Sequence, residues 1–330
     1  MEDTIFSSLS RLAPRLAEGG GNIEDLQRLS GGASMETWAF AVAGPGGRQE
    51  MILRRRPGGP IDEDASRSVS LATEAALIVA AHGTGAPVAP LVHLAGPDDG
   101  LGEAHITRRI AGETLGRKIV MDPRFEAVRP SLARQCGGIL AQIHSAKADL
   151  PLKTVDFLGE LERYEAVYRQ SGAERPILEL AFQHLKKHAP PPVEPVLLHG
   201  DFRNGNLIID PEKGVAAVLD WELSHYGDPA EDLSWICVNS WRFGKAELPV
   251  GGFGHYADLL DGYAAGGGGE VPLSRVLQWQ ALGSLKWGVM CLMMYASYAT
   301  GAESSVERPM IGRRVSETEI DLVILMENGL

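Results

Sequence analysis

Two short apolar runs joined by a four-residue link set the tightest constraint on the fold. Leu207-Ile208-Ile209-Asp210 and Val215-Ala216-Ala217-Val218-Leu219 flank Pro211-Glu212-Lys213-Gly214. Runs of strand length around a Pro/Gly link predict a β-hairpin. Antiparallel pairing about that link puts Asn206 opposite Leu219, with Asp220 one step away. Two oxygen-bearing side chains therefore meet at the open end of the hairpin. Asp201 lies just upstream, on the loop that enters it. Such oxygens are hard donors of the kind Mg²⁺ takes, one or two from protein and the rest from phosphates.

The rest of the chain divides by pattern. Strand-like pieces occur at 29–30, 37–42, 50–54, 89–94 and 104–107, with turns at Gly31-Gly32-Ala33-Ser34 and Gly44-Pro45-Gly46-Gly47. A helix is expected over 66–81, with Gly83 just past its end. Helical spacing then dominates, over 129–147, 161–168, 176–188 and most of the chain beyond 222, around a stiff Ala189-Pro190-Pro191-Pro192 linker. The expected fold class is α+β, with a strand-rich front over 1–110 and a mostly helical back over 111–330. Length agrees, since 330 residues make one large or two medium domains.

Composition removes several classes. Hydrophobic residues at 44% and charged residues at 22% exclude a disordered or fibrous chain. A net charge of −12 argues against a nucleic-acid binder or a binder of anionic membranes. Cys136, Cys237 and Cys291 are scattered, with neither a disulfide framework nor zinc spacing, so a reducing, cytoplasmic setting is expected. The first twenty residues do not read as a signal peptide. The most apolar stretch, 287–299, is too short for a membrane span and reads as a buried helix. Oligomeric state is not legible.

The chemistry concentrates at His199-Gly200-Asp201-Phe202-Arg203-Asn204-Gly205-Asn206. Asp201 precedes Asn206 by the interval found in the kinase catalytic loop, where Asp is the base and Asn binds metal. Gly200 replaces the usual Arg, and Leu219-Asp220-Trp221-Glu222 stands for the D-F-G segment. Together with Gly227-Asp-Pro-Ala-Glu-Asp-Leu233, these motifs resemble the aminoglycoside phosphotransferase family. The resemblance implies a two-lobed, protein-kinase-like fold, with a nucleotide-binding lobe over 1–110 and a catalytic and substrate lobe over 111–330. It implies ATP and Mg²⁺ as cofactors and a small-molecule hydroxyl as acceptor. It casts Asp201 as the catalytic base, Asn206 and Asp220 as Mg²⁺ ligands, and Asp232 with His199 as supports of the catalytic loop.

The front half must then hold the nucleotide. Gly32, Ala33 and Ser34 are candidates to place backbone N–H groups on phosphates. Kinase chemistry also needs a cation on the third strand paired with a helical Glu. No lysine precedes Lys118, so Arg54 is the candidate, with Arg55 and Arg56 as alternatives and Glu74 as its partner. By resemblance, the backbone near Arg109 and Ile110 would meet the adenine. His144 and His225 read as structural histidines, and Trp235 and Trp241 as core or groove walls. The stretch Leu282 to Met293 resembles phosphotransferase-like domains fused to acyl-CoA dehydrogenases, which implies a hydroxyacyl-type metabolite as acceptor. Rival readings are an aminoglycoside-modifying enzyme and a nucleotide-binding pseudoenzyme. A metal-dependent hydrolase would want His-rich or multi-carboxylate clusters, which the spaced histidines do not supply.

Overall fold

Alternation in the first hundred residues closes into one antiparallel sheet. In the computed structural model, which describes residues 2–31, 35–57 and 68–328, helix α1 (Glu2–Leu16) precedes β1 (Asn22–Gly31), β2 (Glu36–Gly44) and β3 (Gly47–Arg56). Helix α2 (Leu71–Gly83), β4 (Leu91–Leu94) and β5 (Glu103–Arg108) follow. Strand order is β1-β2-β3-β5-β4, and neighbours run antiparallel. Period-two alternation puts Trp38, Phe40, Val42, Met51, Leu53, Ala104 and Ile106 in one buried cluster with Ile5, Leu9, Leu12, Ala13 and Leu16 of α1. Each large side chain so buried contributes about 1.5–3 kcal/mol. Helix α1 was absent from the sequence reading, although its apolar residues recur at helical spacing.

The opposite face of the sheet is different in kind. There Arg54 pairs across the ladder with His105, and Ile52 with Thr107. Glu74 of α2 reaches this face. Helix α2 starts at Leu71 because Ser70 caps it, its Oγ accepting the Thr73 N–H at 3.2 Å. Gly83 is the last helical residue and not the stop. Thr84 closes the helix through Ala81, and the left-handed residue is Gly85, at φ 87°.

The second unit is mostly helical. It contains α3 (Gly116–Met121), α4 (Arg129–His144), α5 (Phe157–Ser171), α6 (Pro176–Lys187), β6 (Val196–Leu198) and β7 (Leu207–Asp210). After β8 (Gly214–Val218) come β9 (His225–Gly227), α7 (Pro229–Trp235), α8 (Tyr256–Tyr263), α9 (Leu273–Ala299), α10 (Glu307–Gly312) and α11 (Val315–Glu327). Strands β6 and β9 pair, as do β7 and β8. Helices α4 and α8 approach closely at Gly137 and Gly262, where an added Cβ would collide with the carbonyl of Leu259 or of Arg134. All three cysteines are buried and free, and burial pushes the Cys237 and Cys291 thiols up to about 12, which leaves them unreactive.

Contacts divide the chain into one unit of residues 1–112, 146–152 and 216–224 and a second of 113–145, 153–215 and 225–330. Strand β8 therefore begins in the second unit and ends in the first. No helix among the described residues is long and apolar enough to cross a membrane. The stretch 287–299 is only half buried: α9 is enclosed from Val276 to Cys291, while Met293, Tyr295 and Tyr298 are exposed.

Candidate active site

In the first unit, strand parity sorts three consecutive arginines. Arg55 points to the α1 side and pairs with Glu36 at 3.4 Å, and buried Arg56 pairs with Glu103 at 3.0 Å. Arg54 faces α2. Its Nε lies 3.5 Å from Glu74 Oε2, and its Nη2 donates to Asp220 Oδ1 at 2.6 Å and to Glu222 Oε2 at 2.9 Å. Glu74 is 2% exposed. Burial pushes its carboxyl up, but Arg54 and His105 outweigh that and hold it below the usual carboxylate range. Asp220 adopts φ 67°, a left-handed conformation that a non-glycine residue takes at a cost of about 1–3 kcal/mol and that concentrates at functional sites. The Arg109 N–H donates to the Glu50 carbonyl at 3.0 Å, and Ile110 beside it is half-buried. Gly32, Ala33 and Ser34 lie outside the described residues.

In the second unit, α7 organises the loop between β6 and β7. Asp232 is fully buried and accepts the N–H groups of His199 at 2.7 Å and Gly200 at 2.9 Å. His144 Nε2 lies 3.2 Å from the same carboxylate, and its Nδ1 lies 2.9 Å from the Tyr263 hydroxyl. Burial pushes Asp232 up, yet His144, His199 and the backbone bond hold its carboxyl below the ordinary range. Gly200 sits at φ 81°, a conformation an Arg at this position would take only with strain. His225 pairs with Glu231 at 3.2 Å.

The Asp201 side chain is held by three donors. Oδ1 accepts from Trp235 Nε1 at 2.6 Å and from Arg203 Nε at 3.0 Å, and Oδ2 accepts from Asn206 Nδ2 at 2.7 Å. That Asn206 nitrogen also donates to the Asp201 carbonyl at 2.9 Å. With its nitrogen committed, Asn206 has Oδ1 left to face a cation. Among the described residues no three His, Cys, Asp or Glu side chains gather as a metal cluster. Mg²⁺ bound chiefly through phosphates needs only one or two protein oxygens, and the donor set here, an amide oxygen and carboxylates, fits it.

The structure thus gathers Arg54, Glu74 and Asp220 in one unit and His199, Asp201, Asn206 and Asp232 in the other. Sequence reasoning missed Arg203 and the bond from Trp235 to Asp201. One signal was present: Trp235 follows Asp232 by three positions, so both lie on one face of α7.

Comparison with known proteins places this geometry in context. The model of the phosphotransferase enzyme family matches residues 25–268. Acyl-CoA dehydrogenase family member 10 of Mus musculus is 29% identical over 228 residues, covering 65% of this chain and 20% of that protein. Acyl-CoA dehydrogenase family member 11 of Gallus gallus is 25% identical over 346 aligned residues, covering 95% of this chain and 42% of that protein. The chain therefore spans less than half the length of these relatives. Among solved structures, a Ralstonia eutropha protein provisionally assigned as an aminoglycoside phosphotransferase aligns with TM-score 0.73 at 21% identity, over 95% of each chain. Spectinomycin phosphotransferase, crystallised with ADP and spectinomycin, aligns with TM-score 0.54 at 15% identity, over 92% of this chain and 89% of that one. At these identities the structures show a shared α+β, kinase-like fold.

Proposed function

Because the chain belongs to the phosphotransferase enzyme family, we propose that it transfers the γ-phosphoryl group of ATP to a hydroxyl of a small molecule. The observation that carries this reading is the Asp201 carboxylate, held by Trp235, Arg203 and Asn206 on a loop anchored by Asp232. A base fixed in this way is preorganised, and phosphoryl transfer depends mainly on positioning and charge neutralisation.

In this reading Asp201 accepts a hydrogen bond from the acceptor hydroxyl. As the hydroxyl oxygen bonds to the γ-phosphorus, the bond to the β–γ bridging oxygen breaks, ADP leaves, and the hydroxyl proton passes to Asp201. Asn206 and Asp220 would hold Mg²⁺, which when bound neutralises charge on the phosphates. Arg54, braced by Glu74, steadies the α/β-phosphates, while the backbone at Gly32, Ala33 and Ser34 cradles phosphate and that near Arg109 and Ile110 meets the base. Residues 1–110 serve the nucleotide and 111–330 the acceptor. We take the acceptor to be a hydroxyacyl-type metabolite. In support, residues 275–302 contain no acid, and the relatives above carry acyl-CoA dehydrogenase names.

The test is ADP release with MgATP against a panel of hydroxy acids, their thioesters, amino alcohols and aminoglycosides. Asp201→Asn should keep MgATP binding and lose turnover by at least about 10²-fold. Turnover near wild type in that variant, with a true acceptor, would remove Asp201 from the mechanism.

A further inference from the structure

Trp235 stands at the centre of a buried network behind Asp201. Its Nε1 lies 2.6 Å from Asp201 Oδ1, closer than the 3.0 Å of Arg203 Nε. An indole has one donor and no acceptor, so this bond commits its whole polar capacity to the carboxylate. The ring itself is held from several sides. It lies on the same turn of α7 as Asp232, whose carboxylate takes the His199 and Gly200 N–H groups, so one helical turn fixes both the backbone of the loop and its side chain. Lys286 Nζ lies 5.0 Å from the centre of the ring. That lysine is 6% exposed and sits between Glu160 at 3.2 Å and Glu231 at 3.7 Å. Trp241 packs edge-on at 5.6 Å. A buried cation against the π-face both fixes the indole and polarises its N–H toward the acceptor.

We propose that Trp235 is a positioning residue for phosphoryl transfer. Its N–H sets the orientation of the Asp201 carboxylate, and Lys286 is the strut that holds the indole in place. Oδ1 takes two protein donors and Oδ2 one, so Oδ2 is the oxygen turned toward the acceptor hydroxyl. Arg203 does not substitute for Trp235. Its guanidinium is more exposed, and it divides its contacts among Asp201, the Trp241 ring at 4.6 Å and the Asn204 carbonyl at 2.9 Å. This inference rests on Asp201 as the base, and the experiment separates the two.

The first measurement needs no turnover. In ¹⁵N-labelled, nucleotide-free protein the Trp235 indole signal is identified by its loss in Trp235→Phe. On Asp201→Ala it should move more than any other indole signal and lose protection from solvent exchange. An indole signal indifferent to Asp201→Ala would overturn the proposal. The second measurement replaces the Trp235 indole by a benzothiophene ring, which keeps the bicyclic shape and lacks the N–H. With MgATP and the best acceptor from the panel, kcat should fall about tenfold or more while MgATP affinity stays within about twofold. In an Asp201→Asn background the same replacement should lower kcat no further, because a group acting through Asp201 has lost its target. A merely structural role would give equal losses in both backgrounds. Unchanged kcat beside an inactive Asp201→Asn overturns Trp235 alone. An active Asp201→Asn overturns the base assignment and this inference together.

Discussion

At Arg54 one guanidinium meets Glu74, Asp220 and Glu222 within 3.5 Å. A lysine ammonium lacks the fork that spans such a set, so an arginine in place of the usual kinase lysine keeps the charge and changes the geometry. Glu74 is the constrained partner, buried and kept ionised by its neighbours. Arg54→Met should therefore destabilise the protein by about 3–5 kcal/mol, because it strands a buried carboxylate. Adding Glu74→Gln should recover part of that loss in denaturant unfolding. A double variant no more stable than Arg54→Met would show that the pair is not the cause. The choice among three arginines follows from strand alternation and register, which the sequence shows only once the strand has a face. Asp201, Asn206 and Asp220 stand out in the sequence as candidates because the motifs that carry them are local. The bond from Trp235 to Asp201 does not, since it depends on how α7 meets a loop more than thirty residues upstream.

Among the elements, α7 combines a cap and a loop anchor within a helix of seven residues. Asp228 caps it, accepting the Ala230 N–H at 3.0 Å, and Asp232 anchors the loop that carries Asp201. The folded Asp232 carboxyl titrates below its unfolded value of about 3.9. Its contribution to stability is therefore complete above that pH and is lost as pH falls through the lower folded value. Asp232→Asn should flatten the acid limb of the stability profile and lower stability near pH 7 by about 1–3 kcal/mol. Urea unfolding from pH 2 to pH 7 would measure both, and an unchanged acid limb would exclude Asp232 as its source. The helix itself was legible from Asp-Pro-Ala-Glu-Asp, where Pro sits in the first turn. Helix α1 carries a fainter signal, with no capping residue to mark its start, yet Ile5, Leu9, Leu12 and Leu16 form a core-facing stripe.

At the scale of the whole molecule, residues 216–224 return to the strand-rich unit from far along the chain. A boundary read from local composition cannot register such a return, because it is made by long-range contacts. It places Asp220 with Arg54, which already occupies one carboxylate oxygen. Asp220→Ala should weaken nucleotide binding with Mg²⁺ more than binding without it, and equal losses in calorimetry would remove Asp220 from the metal site. Charge also bears on the acceptor. A net −12 suggests affinity for polycations, but aminoglycosides are recognised by carboxylates free to face their ammonium groups. Around the motifs those carboxylates are already committed. Glu222 accepts from Arg54 at 2.9 Å, and Asp228 binds Arg275 at 2.5 Å and Trp279 at 2.7 Å. Glu231 is shared between His225 at 3.2 Å and Lys286 at 3.7 Å. Releasing any of them breaks an existing ion pair or hydrogen bond, a cost each ammonium contact would have to exceed. Kanamycin-class compounds should therefore give kcat/KM well below the range of about 10⁴–10⁸ M⁻¹s⁻¹ usual for good substrates. Efficient phosphorylation of any aminoglycoside, with a rate that falls steeply as salt rises, would show that other carboxylates form a polycation site.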